Sequence, residues 1–243
     1  LNKDKTELLH LHSRFSSPPQ LHSFTFGNDT VYFAAHARNI GVTFDDTFSY
    51  EKQINNLVKT SFFHLRNIAK VRNYLSDDVC KILIQSLVCS KIDNCNALLY
   101  GLPKHLINKI QSVQNAAARI IAKKRKNDHI SPVLQQLHWL PVEYRIIFKI
   151  NLLTFKCLHD MAPIYIRELL HVYTPKRLLR SSFKAVRLET VNFKTKTYGY
   201  RSFSVHAPYL WNSLPENIRS LHSLSSFKSQ LKTHLFKLAF NLY

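Results

Sequence analysis

Two adjacent aspartates, Asp45 and Asp46, follow the aromatic Phe44 and are the residues of this sequence best suited to metal chemistry. Carboxylate pairs of this kind hold two divalent cations during phosphoryl transfer. However, Thr47 and Ser49 follow at once and lead into a helical pattern, where Asp and Ser serve as loop and capping residues. We therefore predict that the pair organises a turn before a helix, and we predict no metal site.

The 13 histidines and 4 cysteines form no complete ligand or catalytic set. His10 and His12 share one side of a possible strand without further ligands at zinc-site spacing. Ser204 and His206 lack a nucleophile-elbow motif. We expect the four cysteines, Cys80, Cys89, Cys95 and Cys157, to be free thiols in a reducing, intracellular compartment. Three of them lie in apolar helical stretches, where Cys packs as a small hydrophobe.

Positive charge is the strongest chemical signal. The chain has 243 residues, with 34 Lys+Arg against 15 Asp+Glu and a formal net charge of +19. Residues 1–93 hold 11 basic and 9 acidic side chains, net +2, whereas residues 94–243 hold 23 and 6, net +17. The hydrophobic fraction, 45% of the residues, is too high for a disordered basic tail and indicates a folded body. The positive charge indicates that this body binds a polyanion.

The basic residues after position 93 fall into three groups that we predict to contact nucleic-acid phosphates. The first lies at the end of a helical pattern and comprises Arg119, Lys123, Lys124, Arg125 and Lys126. The second is a stripe on one helix, Arg145, Lys149 and Lys156, for which an ordinary solvated face is the alternative. The third lies in an irregular segment with interleaved aromatic residues, typical of base stacking or of a flexible linker: Lys176, Arg177, Arg180, Lys184, Arg187, Lys194 and Lys196.

The elements that must position these residues are short strands followed by helices. Alternating patterns predict strands at Glu7–His12, Ser23–Phe26, Thr30–Phe33 and Asn39–Phe44. From residue 50, apolar residues recur at steps of three and four, which predicts helices; one starts at Ser76 and runs to about Lys91, and another ends in the run Lys123–Lys126. We predict a mainly α fold with a short β-rich N-terminal segment (α+β), divided into 1–50, 51–128 and 129–243.

Several classes of protein are excluded. Lys149 interrupts the most apolar stretch, so no membrane span is predicted. The 4 glycines form neither a P-loop nor a dinucleotide-binding fingerprint. Because residue 1 is Leu and the first Met is Met161, we expect the chain to be a fragment whose upstream part is absent.

Six motifs, in order along nearly the whole chain, resemble the reverse transcriptases of LINE-type (non-LTR, jockey-like) retrotransposons. Leu1–Glu7 resembles the "LNxDKTE" segment that follows the family's catalytic Asp pair, and Ala37–Asp45 resembles its "xRNLGVxFD" strand. The remaining four resemble "IQxxQNAAAR" of the thumb, "LHWLPV", "APxxWNxLP" and the closing "FKSxLKTHLF"; they are Ile110–Arg119, Leu137–Val142, Ala207–Pro215 and Phe227–Phe236.

The resemblance implies a role in copying element RNA into DNA from a nicked chromosomal primer. Residues 1–50 would be the end of the palm, 51–128 a helical thumb and 129–243 a basic C-terminal domain. Lys5 matches a lysine that acts on the leaving pyrophosphate, and a primer-grip-like hairpin is formed by Arg38, Asn39, Ile40 and Gly41.

The resemblance also implies what the chain lacks. The family's catalytic Asp pair lies just upstream of Leu1, so the chain is expected to be inactive alone, and Mg²⁺ would be held by upstream residues. The implied partners are element RNA, target or primer DNA, and the upstream palm and fingers; the implied location is the nucleus, with a cytoplasmic RNA–protein particle as a further possibility. A stand-alone or vestigial basic RNA/DNA-binding protein from a decayed element is the alternative.

The first basic group generates a test. If Arg119 and the run Lys123–Lys126 grip the template–primer backbone, replacing the four residues of the run by Ala should flatten the salt dependence of RNA binding. The log–log slope should fall by about 0.7 for each single-strand phosphate that the variant no longer neutralises, and an unchanged slope contradicts the hypothesis. If the run is instead a nuclear-import signal, the same substitution should abolish import of a fused reporter.

Overall fold

A computed structural model of the chain describes residues 2, 5–13, 15, 22–27, 29–175, 186–195 and 197–242. It is mainly helical, with two short antiparallel hairpins near the N-terminus. The predicted fold class is therefore confirmed, whereas the palm, thumb and C-terminal divisions stay predictions. No described helix combines the length and the apolarity needed to cross a membrane.

The first hairpin pairs β1 (Ser23–Phe26) with β2 (Asp29–Tyr32), which confirms two of the predicted strands to within one residue. The predicted strand Glu7–His12 is wrong. This segment forms no ladder, because its backbone bonds go to separate places: Leu8 makes an isolated bridge with Phe33, and the His12 N–H donates to the Asp46 carbonyl.

The second hairpin pairs β3 (His36–Asn39) with β4 (Val42–Asp45). The prediction of one continuous strand over Asn39–Phe44 is wrong, because Ile40 and Gly41 form a two-residue turn in which both φ angles are positive, 47° and 80°. Two-residue turns of this hand match the right-handed twist of paired strands. Gly41 allows the turn without steric cost.

The helical part begins at residue 51. Its elements are α1 (Glu51–Val71), α2 (Asp77–Ile84), a π-helical turn (Gln85–Cys89), α3 (Ser90–Asp93), α4 (Lys104–Ile121), α5 (Ser131–Gln136), α6 (Val142–Leu158), α7 (Ile164–Arg167), α8 (Phe203–Asn212), α9 (Glu216–Arg219) and α10 (Leu224–Phe240). Short 3₁₀ turns cover Arg72–Tyr74 and Asn96–Leu99. Ser76 caps α2 as predicted, because its side chain accepts a hydrogen bond from the Val79 N–H.

The prediction that the run Lys123–Lys126 belongs to a helix is wrong, since α4 ends at Ile121. The buried guanidinium of Arg72 donates hydrogen bonds to the carbonyl oxygens of Ile120 and Ile121, at 2.8 and 2.9 Å. These bonds satisfy carbonyls that the end of an α-helix leaves unpaired. The chain then reverses at Lys123, whose φ is 52°.

Two hydrophobic cores meet on α6. Ile146 and Ile150 belong to the core formed mainly by α1 to α4. Phe155, further along α6, belongs to a second core formed with α8, α9 and α10. The cysteines are free thiols, as predicted; Cys95 is exposed and the other three are buried.

A polar clamp joins α4 to the start of α6. Gln114, fully buried, donates from Nε2 to the Leu140 carbonyl oxygen at 2.8 Å. Gln111 accepts the Val142 N–H through Oε1, also at 2.8 Å. The Val142 N–H belongs to the first turn of α6 and has no partner within that helix. The clamp therefore fixes the residue at which α6 begins. Because both cores pack on α6, it also fixes the position of one core relative to the other.

We expect the Gln114→Leu variant to be destabilised by about 0.5–1.5 kcal/mol, because it removes one buried hydrogen bond to the Leu140 carbonyl while the bond from Arg145 stays. The free energy of unfolding, measured by urea denaturation, checks this. Gln136→Leu, at the exposed end of α5, is the control and should change the stability by less than about 0.5 kcal/mol. Equal stabilities of the two variants would contradict a structural role for the clamp.

Candidate nucleic-acid interface

The tip of the second hairpin projects into solvent. Ile40 is 87% exposed and holds a left-handed backbone conformation that is costly for a β-branched residue. The hairpin is tied to the N-terminal segment, because the Arg38 N–H donates to Glu7 Oε2 at 2.9 Å. An apolar residue is thus fixed at an exposed tip, close to a cationic side chain.

The turn after β4 sets the hairpin against α1. Asp45, only 4% exposed, accepts hydrogen bonds from the backbone N–H groups of Ser49 and Tyr50, both at 2.6 Å. Burial by itself would raise the pKa of Asp45, but these bonds and the Thr47 hydroxyl outweigh it and hold the pKa below its usual value. Asp46 instead faces His12, with Oδ2 and Nε2 3.5 Å apart. The predicted turn-organising role is confirmed for Asp45, whereas the Asp46 side chain makes its contact with His12.

A groove of about 710 Å³ lies between the hairpin, α1 and α3. One bond crosses between its walls, in which the Thr43 N–H donates to Gln53 Oε1 at 2.9 Å. Cationic, amide and hydroxyl side chains dominate the lining, which consists of Arg38, Gly41, Thr43, Gln53, Asn56, Leu57, Thr60, Ser90, Lys91 and Asn94.

The electrostatics of the groove favour an anion. Arg38 comes from the hairpin and Lys91 from α3, and no carboxylate is among the described residues that line the groove. Lys91 Nζ lies 3.2 Å from His64 Nε2. Hydroxyl, amide, Arg and Lys groups are the side chains that contact nucleic-acid backbones.

Two of the four primer-grip-like residues line this groove. Arg38 and Gly41 line it, while Asn39 and Ile40 are exposed at the tip. Lys5 is exposed and lies in a short turn near the N-terminus, where its N–H donates to the Asn2 carbonyl. The side chains that α1 contributes to the groove were not predicted as site residues, although Gln53, Asn56 and Thr60 are polar residues at helical spacing.

The first predicted basic group lies in a turn. Lys123, Lys124, Arg125 and Lys126 are exposed, and the turn is closed by Asp128, which accepts the Arg125 N–H at 2.8 Å. Arg119 reaches into the same turn, with Nη2 3.3 Å from the Asp128 carbonyl oxygen. Phosphate contact stays a prediction for this group, and its exposed lysines have the freedom that such contact requires.

The second group is divided by its contacts. Arg145 is held inside the protein: Nη1 lies 3.0 and 2.7 Å from the two carboxylate oxygens of Asp93, and Nε donates to the Leu140 carbonyl. This geometry favours a structural role for Arg145. Lys149 lines a second cavity, and Lys156 is half-buried.

The third group lies largely outside the described residues: Lys176, Arg177, Arg180, Lys184 and Lys196. Arg187 and Lys194 are described and exposed. The backbone at Leu188 is anchored by Asn212, whose side chain bonds both its N–H and its carbonyl. Trp211 Nε1 also donates to the Val186 carbonyl at 3.0 Å, so part of this segment is fixed on α8.

Within the described ranges, no three His, Cys, Asp or Glu side chains are grouped so that they could hold a metal ion. The chain matches no protein-family model, no curated protein sequence and no solved structure.

The groove generates a test with a matched control. The double variant Arg38→Gln, Lys91→Gln should reduce the slope of log Kd against log salt for single-stranded RNA by about 1.4, because two phosphates are no longer neutralised. The control, Lys228→Gln with Lys237→Gln, removes the same charge from two exposed positions on α10. Fluorescence anisotropy with a labelled oligonucleotide measures both. Equal slopes for the two variants would show that the groove does not bind the RNA.

Proposed function

We propose that this chain is a part of the reverse transcriptase of a non-LTR retrotransposon, and that it contributes template and primer binding in target-primed reverse transcription. In this proposal the hairpin and groove bind a nucleic-acid backbone, and the helical body supports them. The proposed partners are element RNA and target or primer DNA, together with the palm and fingers of the same polypeptide. The proposed place of action is the nucleus.

The observation that carries the proposal is the groove beside the hairpin. It has cations from two different elements, hydroxyl and amide groups among its lining, and an exposed apolar residue at the neighbouring hairpin tip. Phosphate oxygens accept hydrogen bonds from these side-chain types, whereas sequence is read at base edges. The groove therefore suits a strand that must be positioned without regard to its sequence.

The contacts among the resembling motifs support the proposal independently. The glutamines of the thumb-like motif, Gln111 and Gln114, bond the backbone of the "LHWLPV"-like motif at Leu140 and Val142. Residues that are far apart in the sequence, and that carry the resemblance separately, therefore act on each other in space. A shared fold would require contacts of this kind between the motifs.

The proposal assigns no polymerisation to these residues alone. Asp45 is fully engaged by backbone N–H groups, and Asp46 faces His12. Mg²⁺ in an active enzyme would therefore be held by carboxylates other than these two.

Binding selectivity tests the proposal. The chain should bind a short DNA primer annealed to a longer RNA template several-fold more tightly than blunt duplex or single-stranded RNA at the same salt concentration. Affinities must be compared at one salt concentration because phosphate contacts dominate them. The same junction should not be extended by the chain with Mg²⁺ and deoxynucleotides.

Two outcomes contradict the proposal in different ways. Equal affinity for junction, duplex and single strand would favour the alternative, a stand-alone basic RNA/DNA-binding protein. Extension of the primer by the chain alone would contradict the expectation that it is catalytically incomplete.

A further inference from the structure

A second cavity, of about 470 Å³, shares the segment 90–96 with the groove, but it uses different residues of that segment. It is bounded by the π-helical turn, the loop before α6, and side chains of α6 and α10. Its volume is in the range of pockets that hold small ligands. We infer that this cavity binds a nucleotide, with an amino-bearing base against its aromatic wall and the phosphate at two lysines.

One wall of the cavity is aromatic and apolar. Trp139 and Phe148 line it together with Leu140. The Arg145 guanidinium lies over the Trp139 ring, 5.9 Å from the ring centroid. Aromatic side chains of this kind stack on nucleobases, whose faces are all available for stacking.

The cavity also carries uncompensated positive charge. Asp93 is the carboxylate among the described lining residues, and it is paired with Arg145, whose Nη1 contacts both of its oxygens. Lys149 on α6 and Lys232 on α10 also line the cavity, and the ion pairs of the described residues include neither of them. Two ammonium groups on neighbouring helices can share one phosphate, which accepts several charge-assisted hydrogen bonds.

A buried amide indicates which base fits. Asn96 is 2% exposed and lines the cavity, yet its Oδ1 has no hydrogen-bond partner among the described residues. A buried acceptor without a donor destabilises the folded state. The exocyclic amino groups of adenine and cytosine are donors, whereas a carbonyl at the same position is not. An amino-bearing base would therefore satisfy Asn96.

The backbone around the cavity is irregular in the way that binding sites often are. The π-helical turn Gln85–Cys89 interrupts an otherwise continuous helix and places Gln85 at the cavity. Such turns occur frequently at functional sites. This observation is independent of the charge and of the buried amide.

The inference goes beyond the proposed function, because the cavity shares no lining residue with the groove. The ligand could be a free nucleotide or one nucleotide of a single strand, and the chemistry of recognition is the same for both.

Trp139 provides the readout, since the sequence has 2 tryptophans and the other, Trp211, is buried in the second core. Titration of the full chain with adenosine 5′-monophosphate should change the tryptophan emission in a saturable way. The change should persist in Trp211→Phe and vanish in Trp139→Phe. A parallel titration with a short oligoadenylate compares the strand-borne nucleotide with the free one.

Three comparisons test the assigned contacts. Inosine 5′-monophosphate, which lacks the amino group, and unphosphorylated adenosine should each bind about tenfold more weakly. The Lys149→Gln, Lys232→Gln variant should weaken binding by a similar factor, whereas the Lys228→Gln, Lys237→Gln control should not.

The inference is overturned if neither the mononucleotide nor the oligoadenylate changes the emission of the folded chain up to millimolar concentration. Equal binding of the adenine and inosine nucleotides, or equal weakening in the lysine variant and its control, also overturns it. The Arg38→Gln, Lys91→Gln variant should leave this signal unchanged, so failure of the groove and failure of the cavity are distinguishable.

Discussion

The clamp of two glutamines on Leu140 and Val142 is the constraint on which the rest of the structure depends. Pro141 between them has no N–H, and the backbone groups on either side of it are bonded by side chains. Gln114 and Arg145 both donate to the Leu140 carbonyl, and Gln111 accepts the Val142 N–H. Because both hydrophobic cores pack on α6, an error in where this helix begins would displace the residues of each core. Buried hydrogen bonds, unlike apolar contacts, are satisfied only when α6 begins at one particular residue.

The positive charge is used in two physically different ways. Arg72 and Arg219 are buried and donate to backbone carbonyls, as Arg145 also does. The planar guanidinium group suits this task, since it donates in several directions at once. The lysines Lys123, Lys124, Lys228 and Lys237 are exposed instead. The net charge of +19 therefore overstates the charge that is free to meet a polyanion, because part of it holds the helices together.

The helices could be predicted from the sequence because their apolar spacing is set by the core that they share. The Ser76 cap and the Asp45 turn could also be predicted, because each is decided by residues within a few positions. The strand pattern did not predict the break at Ile40, since a β-branched residue rarely adopts a positive φ; a hairpin at this place was implied only by the resemblance. The end of α4 at Ile121 is stabilised by Arg72, 48 residues away from Ile120. The groove and the cavity likewise depend on tertiary contacts, and a single-sequence pattern shows only fragments of each.

The segment Ser90–Asn96 connects the two candidate sites. Lys91 and Asn94 line the groove, whereas Asp93 and Asn96 line the cavity. This division follows from geometry, since the segment is one short turn of helix that leads into a 3₁₀ turn, and its side chains point in different directions around the axis. The Asp93–Arg145 ion pair, with the Arg145 side chain 15% exposed, holds this segment against α6. The Asp93–Arg145 ion pair therefore bounds the cavity and also holds Lys91 in its position in the groove. A displacement of α6 would change the geometry of both sites through this ion pair.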